Sequence, residues 1–297
     1  MRPEIPPLKM SAIGPVKNHR GREEGVLVYP VYSRRSGGLS VGINLFPDRK
    51  VCSFDCPYCE VFPFQNAGTF SLERMEAELV RALGEAGKQG LAVRDICFSG
   101  NGEPSLSPFF PEALAAVSRI RSEAAAEAAL VLITNGAGLL RAEIFSLLHE
   151  AATAPEPLDI WLKLDAGTPQ WYEKINRPAL AFTELISKIR DFVRRAPVTI
   201  QTMLCAIDGI APPPEEEAAW EKLALELVRA GMKGPGIRAF QLYGKVRPSP
   251  TDPRCQALPP EYLEKRAASL RAALAAEWPA APVGSRISRG PPTVSVF

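Results

Sequence analysis

The sequence predicts an α/β fold in which strands and helices alternate and the strands curl into an open, partial (β/α)6 barrel. Six short apolar runs each precede a segment with helical periodicity. Six such units fall short of the eight that close a complete barrel. The chain has 297 residues, of which 46% are hydrophobic, enough to bury the core of one large domain. We therefore expect one parallel, six-stranded sheet with its helices on the outside.

The chain is expected to have three parts: a lead-in (1–40), the barrel (41–278) and a tail (279–297). The lead-in is rich in Pro, Gly, Arg and Lys, so we expect it to be irregular and packed on the core, and the Pro-rich tail is expected to be loosely held. The predicted strands cover 41–46, 94–100, 129–134, 159–165, 198–205 and 237–244. The predicted helices cover 70–83, 109–127, 139–152, 181–195, 215–230 and 259–276, with a loop or short helix at 168–172.

Composition limits the classes of partner. The net charge is +2, which gives no general attraction to nucleic acid. No apolar run approaches the roughly 18 residues that a membrane span needs, and the N-terminal residues lack the hydrophobic region of a signal peptide. We expect a cytoplasmic protein in a reducing compartment, with no membrane partner.

The most informative segment is VCSFDCPYCEVF, in which Cys52, Cys56 and Cys59 form a C-x3-C-x2-C array. Thiolates at short spacings of this kind hold iron–sulfur clusters. Three neighbouring thiolates can bind three corners of one cubane, while a missing fourth ligand leaves one iron open to a small molecule. The array therefore predicts a reactive iron–sulfur site on the loop after the first barrel strand.

A zinc knuckle is the alternative reading of these cysteines. Zinc sites usually pair two CxxC or CxxH units, whereas this sequence has one array, and His19 and His149 lack the matching spacing. A disulfide framework is disfavoured in a chain of this length with six cysteines and no signal peptide. Cys97, Cys205 and Cys255 are expected to be small buried side chains.

Polar residues at the strand ends are further candidates. In the fourth strand Lys163 and Asp165 share the face opposite the apolar residues, so both should point into the barrel mouth. Burying them unpaired would be costly, which favours a catalytic role, although an internal ion pair is the alternative. Gln201 on the fifth strand is a candidate cofactor or substrate contact, and a buried glutamine bonded to its neighbours is equally compatible with the pattern.

The loop after the second strand reads Ser-Gly-Asn-Gly-Glu-Pro. Gly100 and Gly102 allow a tight turn and close approach of a ligand to the backbone, and Glu103 offers a carboxylate at the strand end. Taken alone, the segment is equally typical of an ordinary polar turn.

With Tyr58 before its third cysteine, the array resembles the signature of radical S-adenosylmethionine (radical SAM) enzymes. The resemblance implies a TIM-like partial barrel and a [4Fe–4S] cluster whose open iron binds the amino and carboxylate groups of S-adenosylmethionine. It also implies an electron donor such as flavodoxin or ferredoxin. One-electron reduction then cleaves the cofactor to methionine and a 5′-deoxyadenosyl radical, which abstracts hydrogen from a substrate.

The resemblance extends to other residues. The segment at 99–103 resembles the family's Gly-Gly-Glu motif, with Asn101 where that motif often has glycine. This implies that the loop binds the amino group of the cofactor's methionine part. The assigned cofactor contacts are Tyr58 near the adenine, Gly100, Gly102 and Glu103 at the methionine end, Thr134 and Asn135 as a wall, and Gln201.

Residues 28–61, with KINRP (174–178) and KVRPSP (245–250), are similar to a subgroup related to the tRNA-modifying wyosine-base synthases. Those enzymes carry additional N-terminal cysteines, and residues 1–51 contain none. The substrate is therefore left open between RNA and a small molecule. Two alternative functions are a glycyl-radical-enzyme activase and a non-catalytic iron–sulfur or zinc module that binds RNA. A separate basic segment contains Arg34, Arg35, Arg49 and Lys50. We expect these residues to form either a rim that binds a phosphate-bearing substrate or a loop that is simply solvated.

Overall fold

The structure is a computed structural model that describes residues 25–61, 63–249, 252–278 and 290–297. Residues 1–24 of the expected lead-in, including His19, and residues 279–289 of the expected tail lie outside the described residues. The chain divides into two compact units. As far as they are described, the first comprises residues up to 50 with 63–131, and the second comprises 51–62 with the residues from 132 onward.

In the first unit, β1 (Val28–Ser33) pairs antiparallel with β2 (Gly38–Ile43), which pairs in parallel with β3 (Val93–Phe98). The expectation of an irregular lead-in is wrong for β1. Pro30 is compatible with this strand because β1 lies at the sheet edge, where a missing backbone N–H costs no ladder bond. Gly37, at φ +69°, supplies the left-handed residue in the connecting turn.

Two helices complete the first unit, α1 (Leu72–Lys88) and α2 (Phe110–Ala124), and they pack against each other. The Ser71 side chain caps α1 by accepting the Arg74 backbone N–H at 3.2 Å. The inward face of α1 buries Met75 and Leu79 completely, as its helical spacing of apolar residues predicts. Strand β4 (Ala129–Thr134) begins in the first unit and ends in the second.

The second unit contains four parallel strands in the order β5 (Leu158–Lys163), β6 (Val198–Ile207), β7 (Ile237–Gly244) and β9 (Thr293–Val296). A short strand, β8 (Cys255–Ala257), pairs antiparallel with β6. Its helices are α3 (Ala142–Thr153), α4 (Pro169–Ile175), α5 (Phe182–Val193), α6 (Pro214–Gly231) and α7 (Pro260–Glu277).

The end of the chain differs from the expected loose tail. β9 joins the sheet beside β7, and the backbone N–H of Phe297 donates to the Leu242 carbonyl at 3.0 Å. Arg271 on α7 donates through Nη2 to the Val294 carbonyl at 2.9 Å. The four residues of β9 are thus held by a neighbour distant in sequence.

The α/β class and the alternation of strands and helices along the chain are confirmed. All six predicted strands are present as β2 to β7, and the described residues form three more strands, β1, β8 and β9, of which β1 and β8 pair antiparallel. In the part of the chain that the structure describes, no helix combines the length and apolarity that a bilayer crossing needs.

Candidate functional site

The cysteine loop is fixed to the C-terminal end of α4 within the second unit. The Asp55 backbone N–H donates to the Asn176 carbonyl at 3.0 Å, and the Ala179 N–H donates to the Ser53 carbonyl at 2.8 Å. The Phe54 ring packs edge-on against Tyr172, with ring centres 5.6 Å apart. These contacts hold the segment that carries Cys52, Cys56 and Cys59.

Each of the three sulfur atoms accepts an N–H group. Asn135 Nδ2 lies 3.5 Å from Cys52 Sγ, and Asn176 Nδ2 lies 3.5 Å from Cys56 Sγ. The Val61 backbone N–H donates to Cys59 Sγ at 3.4 Å. Hydrogen bonds to cysteine sulfur favour the thiolate form and tune any metal bound to it. The loop is therefore surrounded by the outer contacts that thiolate ligands use.

The donor set fits a cluster held by three thiolates. All three cysteines are thiols outside any disulfide of the described residues, and Cys52 is exposed. Burial, with a further contribution from Asp165, raises the pKa of the Cys56 thiol to about 12, so metal binding would have to displace its proton. No three His, Cys, Asp or Glu side chains among the described residues surround a single metal ion. In a cubane each thiolate binds its own iron, so the three sulfurs need not converge on one point.

Asp165 is the centre of a buried hydrogen-bond network behind this loop. Its Oδ2 accepts the Tyr58 hydroxyl at 2.5 Å and Asn176 Nδ2 at 2.9 Å. Its Oδ1 accepts the Met203 backbone N–H at 2.8 Å and lies 2.8 Å from Lys163 Nζ. The Asp165 side chain has no solvent exposure, so the network fixes the carboxylate, the tyrosine and the asparagine together.

Lys163 lies between two aromatic rings. Its Nζ donates to the Tyr243 hydroxyl and lies 4.9 Å from the Tyr58 ring centre and 4.6 Å from the Tyr243 ring centre. Burial lowers the pKa of Lys163, but the attraction of Asp165 and the contact with Tyr243 outweigh it, so the pKa is raised overall. The ion pair that the sequence left as an alternative is present, and a catalytic role for Lys163 and Asp165 stays a prediction.

A row of polar residues crosses the sheet of the second unit at the position of Lys163. Lys163, Gln201, Gln241 and Ser295 are register partners on β5, β6, β7 and β9. Gln201 is completely buried, and its Nε2 donates to Gln241 Oε1 at 2.7 Å. The register thus places Gln201 beside Lys163, next to which the sequence analysis had no means of placing it. The cofactor contact assigned to Gln201 stays a prediction.

The predicted wall residues Thr134 and Asn135 follow β4. Thr134 Oγ1 accepts the Gly136 N–H at 3.0 Å, and Asn135 Oδ1 accepts the Ala137 N–H at 2.9 Å, so both shape the turn. Asn135 Nδ2 also donates to Ser53 Oγ at 3.1 Å. Besides its predicted cofactor contact, Asn135 therefore has a structural role at the cysteine loop that the sequence did not indicate.

The glycine-rich loop belongs to the first unit and is held by Asn44. Gly100 adopts φ +124°, and a Cβ there would lie 2.9 Å from Asn44 Oδ1, the atom that also accepts the Asn101 N–H at 3.2 Å. Glu103 is 2% exposed, and its Oε1 accepts the Ser105 hydroxyl at 2.6 Å. Gly102 lies in the same loop. The cofactor contacts assigned to Gly100, Gly102 and Glu103 stay predictions.

Several features were assigned differently by the sequence or missed. Asn176 was not singled out, although it lies in the KINRP segment that the resemblance includes and contacts Cys56, Tyr58 and Asp165. In the basic segment, Arg34 and Arg49 are exposed, as a solvated loop would be. The three remaining cysteines are buried as expected, and strand pairing places Cys205 and Cys255 on adjacent strands.

No protein-family model matches the chain. Its curated relatives include UPF0026 protein slr1464 of Synechocystis, which is 26% identical over 180 residues, or 59% of this chain and 63% of the relative. A UPF0026 protein of Helicobacter pylori is 27% identical over 230 residues, or 74% of this chain and 66% of the relative. The chain thus spans slightly less than two thirds of the length of either relative.

Solved structures match over more of the chain. A radical SAM methyltransferase from Sphaerobacter thermophilus superposes with a TM-score of 0.58 at 18% identity, covering 90% of this chain and 68% of that one. SuiB of Streptococcus suis gives a TM-score of 0.58 at 11% identity, covering 89% and 51%. SuiB bound to S-adenosylmethionine gives 0.52 at 13% identity, covering 88% and 49%. The chain therefore has the fold of radical SAM proteins, a partial barrel, which confirms at the level of fold the resemblance seen in its cysteine array.

Proposed function

We propose that the protein is a radical SAM enzyme in which Cys52, Cys56 and Cys59 bind one [4Fe–4S] cluster and S-adenosylmethionine binds at the iron left open. When bound and reduced, this pair supplies a 5′-deoxyadenosyl radical that takes a hydrogen atom from the substrate. The fold supports the proposal, and so do the N–H groups that donate to the sulfur atoms of all three cysteines. A flavodoxin or ferredoxin is the proposed electron donor.

The observation that carries the proposal is the connection between the cysteine loop and the buried carboxylate. Asp165 holds Tyr58 and Asn176, and Asn176 in turn donates to Cys56 Sγ. Asp165 therefore acts as a positioning residue that orients a cluster ligand through a second side chain. A purely structural ion pair would not need to reach the loop that carries the thiols.

Lys163 contributes a fixed positive charge to the same region. Its raised pKa keeps the proton on Nζ at neutral pH, from where it donates to Tyr243 and pairs with Asp165. Burial raises the pKa of the Tyr58 hydroxyl, with Asp165 adding to the effect, so Tyr58 remains a neutral donor to that carboxylate. These residues hold protons in place and keep the loop oriented, and the structure assigns none of them a proton transfer.

The test is anaerobic reconstitution with iron and sulfide, followed by metal analysis and reduction with dithionite in the presence of S-adenosylmethionine. We expect about four irons and four sulfides per chain and formation of 5′-deoxyadenosine. Cys56→Ala should lose both, whereas Cys97→Ala, at a buried cysteine outside the array, should retain both.

Other outcomes would contradict the proposal. Zinc in place of iron, or a stable cluster that never cleaves the cofactor, would favour a non-catalytic metal module. A radical that accumulates on an added partner polypeptide would instead identify an activase within the same chemistry. Retention of cofactor cleavage by the Cys56 variant would refute the assigned ligand set.

A further inference from the structure

A cavity of about 330 Å³ lies in the second unit beside the end of α4 and the turn that follows β6. One part of its lining is apolar and consists of Trp171, Ile207 and Ile210. The other part is basic and consists of Lys174, Arg177 and Arg254. Ile210 is 65% exposed, which places a large apolar side chain at the opening.

The basic side carries a positive surplus. Arg254 donates to both carboxylate oxygens of Asp252, at 3.0 and 2.9 Å, and Arg177 donates to the same carboxylate. Hydrogen bonds from Arg254, assisted by Arg177, hold the pKa of Asp252 well below its usual range, so it stays ionised. Asp208 is the carboxylate in the cavity lining itself, whereas Asp252 contacts the lining through the two arginines. Three cations against two carboxylates leave one net positive charge.

Lys174 carries the positive charge that remains after Arg177 and Arg254 are matched with the two carboxylates. It is exposed, and none of the contacts among the described residues gives its ammonium group a carboxylate partner. Arg177 uses Nη2 for Asp252 and lines the cavity, and a guanidinium has five N–H groups in all. Arginine and lysine in this arrangement are the groups that bind phosphate oxygens.

Two residues of the cavity lining have unusual backbone angles, and one of them, Arg177, is strained, whereas Asp208 with Gly209 forms the two-residue turn between Ile207 and Ile210 in which Asp-Gly favours positive φ. Arg177 has φ +42° and Asp208 has φ +54°, and these are the non-glycine residues with positive φ in the described part of the chain. Asp tolerates this conformation better than Arg does. Both residues are tied down: the Arg177 carbonyl accepts the Asp55 N–H at 3.2 Å, and the Asp208 N–H donates to the Arg254 carbonyl at 2.9 Å. Strain that the surroundings enforce is concentrated at functional sites.

We propose that this cavity binds an organic phosphate of about the size of a nucleoside monophosphate. The basic side would take the phosphate, and the apolar side would pack against the base or sugar. Ligand pockets range from roughly 300 to 1,000 Å³, and this cavity lies at the lower end, which favours a small ligand.

The position of the cavity gives the ligand a place beside the cysteine loop. Arg177 directly follows Asn176, whose side chain donates to Cys56 Sγ. A phosphate on Arg177 would therefore lie one residue away from the contact to a predicted cluster ligand. The inference goes beyond the proposed function and does not depend on it, because binding can be measured without cofactor cleavage.

The test is calorimetric titration of the full chain with AMP at low ionic strength, before and after anaerobic reconstitution. We expect saturable binding that weakens as salt is added. Lys174→Gln should weaken AMP binding about 10-fold, since a charged hydrogen bond to phosphate contributes about 1.4 kcal/mol or more. Lys222→Gln, at an exposed lysine on α6 away from the cavity, is the matched control and should bind as the wild type does.

A second variant separates a loss of AMP binding from a loss of folding. Arg177→Lys keeps the positive charge but removes the planar guanidinium that can donate two hydrogen bonds to one phosphate. AMP binding should therefore become weaker while the circular dichroism spectrum is unchanged. Adenosine and inorganic phosphate should each bind at least 10-fold more weakly than AMP. Equal affinity for adenosine, equal affinity of the Lys174 and Lys222 variants, or binding of a single-stranded oligoribonucleotide without binding of AMP would overturn the proposal. Displacement of AMP by S-adenosylmethionine in direct competition would also overturn it.

Discussion

Replacing Asp165 with asparagine tests the buried charge network behind the cysteine loop. The substitution keeps the shape and one acceptor oxygen but removes the negative charge beside Lys163, whose side chain is only 10% exposed. Removing one partner of a buried ion pair costs about 3–5 kcal/mol, because the remaining charge is left uncompensated. We expect Asp165→Asn to lower the free energy of unfolding of the cluster-free chain by that amount.

The assay is urea unfolding at pH 7, followed by tryptophan fluorescence and circular dichroism. The double variant Lys163→Met, Asp165→Asn removes both charges and should recover at least about 1 kcal/mol of the loss. Glu76→Gln, which removes the exposed contact with Arg119, is the control and should cost no more than about 1 kcal/mol.

The pH dependence gives an independent check. Without Asp165 the burial of Lys163 is no longer offset, so its pKa in the folded chain should fall below the ordinary value near 10.4. The unfolded chain would then bind more protons than the folded chain, and stability rises with pH wherever this holds. The difference in free energy of unfolding between wild type and Asp165→Asn should therefore become smaller from pH 7 to pH 10. A variant within 1 kcal/mol of wild type, or a double variant no more stable than the single one, would refute the reasoning.

Two further predictions concern other parts of the chain. Asp252 has a depressed pKa, so its ion pairs stabilise the folded chain above about pH 4 and are lost as the pH falls through the folded pKa. The Tm difference between wild type and Asp252→Asn should therefore narrow from pH 6 to pH 3, and a constant difference would contradict this. Gly100→Ala should destabilise the chain by about 1–3 kcal/mol, because it combines positive φ with a close approach to Asn44. Gly84→Ala, on α1 with open space around it, should instead stabilise by about 0.5–1 kcal/mol in the same thermal melts.

Local features of the sequence predicted most of the regular structure. β4 and β7 occupy the predicted residues: β4 is a short apolar run that ends before the Asn-Gly pair at 135–136, and β7 begins directly after the Gly-Pro-Gly segment at 234–236. Helix α1 begins at its predicted capping serine. The cysteine array also lies within a few residues of sequence, so its chemistry could be inferred before any fold was known.

The strands missed by the sequence analysis depend on distant partners. β1 contains a proline that argues against a strand unless its neighbour and its edge position are known. β9 gains its backbone hydrogen bonds from β7, and its four residues do not indicate which strand will be the partner. Strand formation in both cases is decided by which backbone lies alongside, and a local pattern does not contain that information.

The same division holds for the candidate site. By itself the sequence determined the three thiols, and strand parity correctly placed Lys163 and Asp165 on one face. Only the tertiary structure showed that Asn176 donates to Cys56, 120 residues away, and that Arg177, in the lining of the cavity, donates to Asp252, 75 residues away. Spacing rules operate over one turn or one strand, whereas a buried carboxylate selects its partners from whatever the folded chain brings within hydrogen-bond distance.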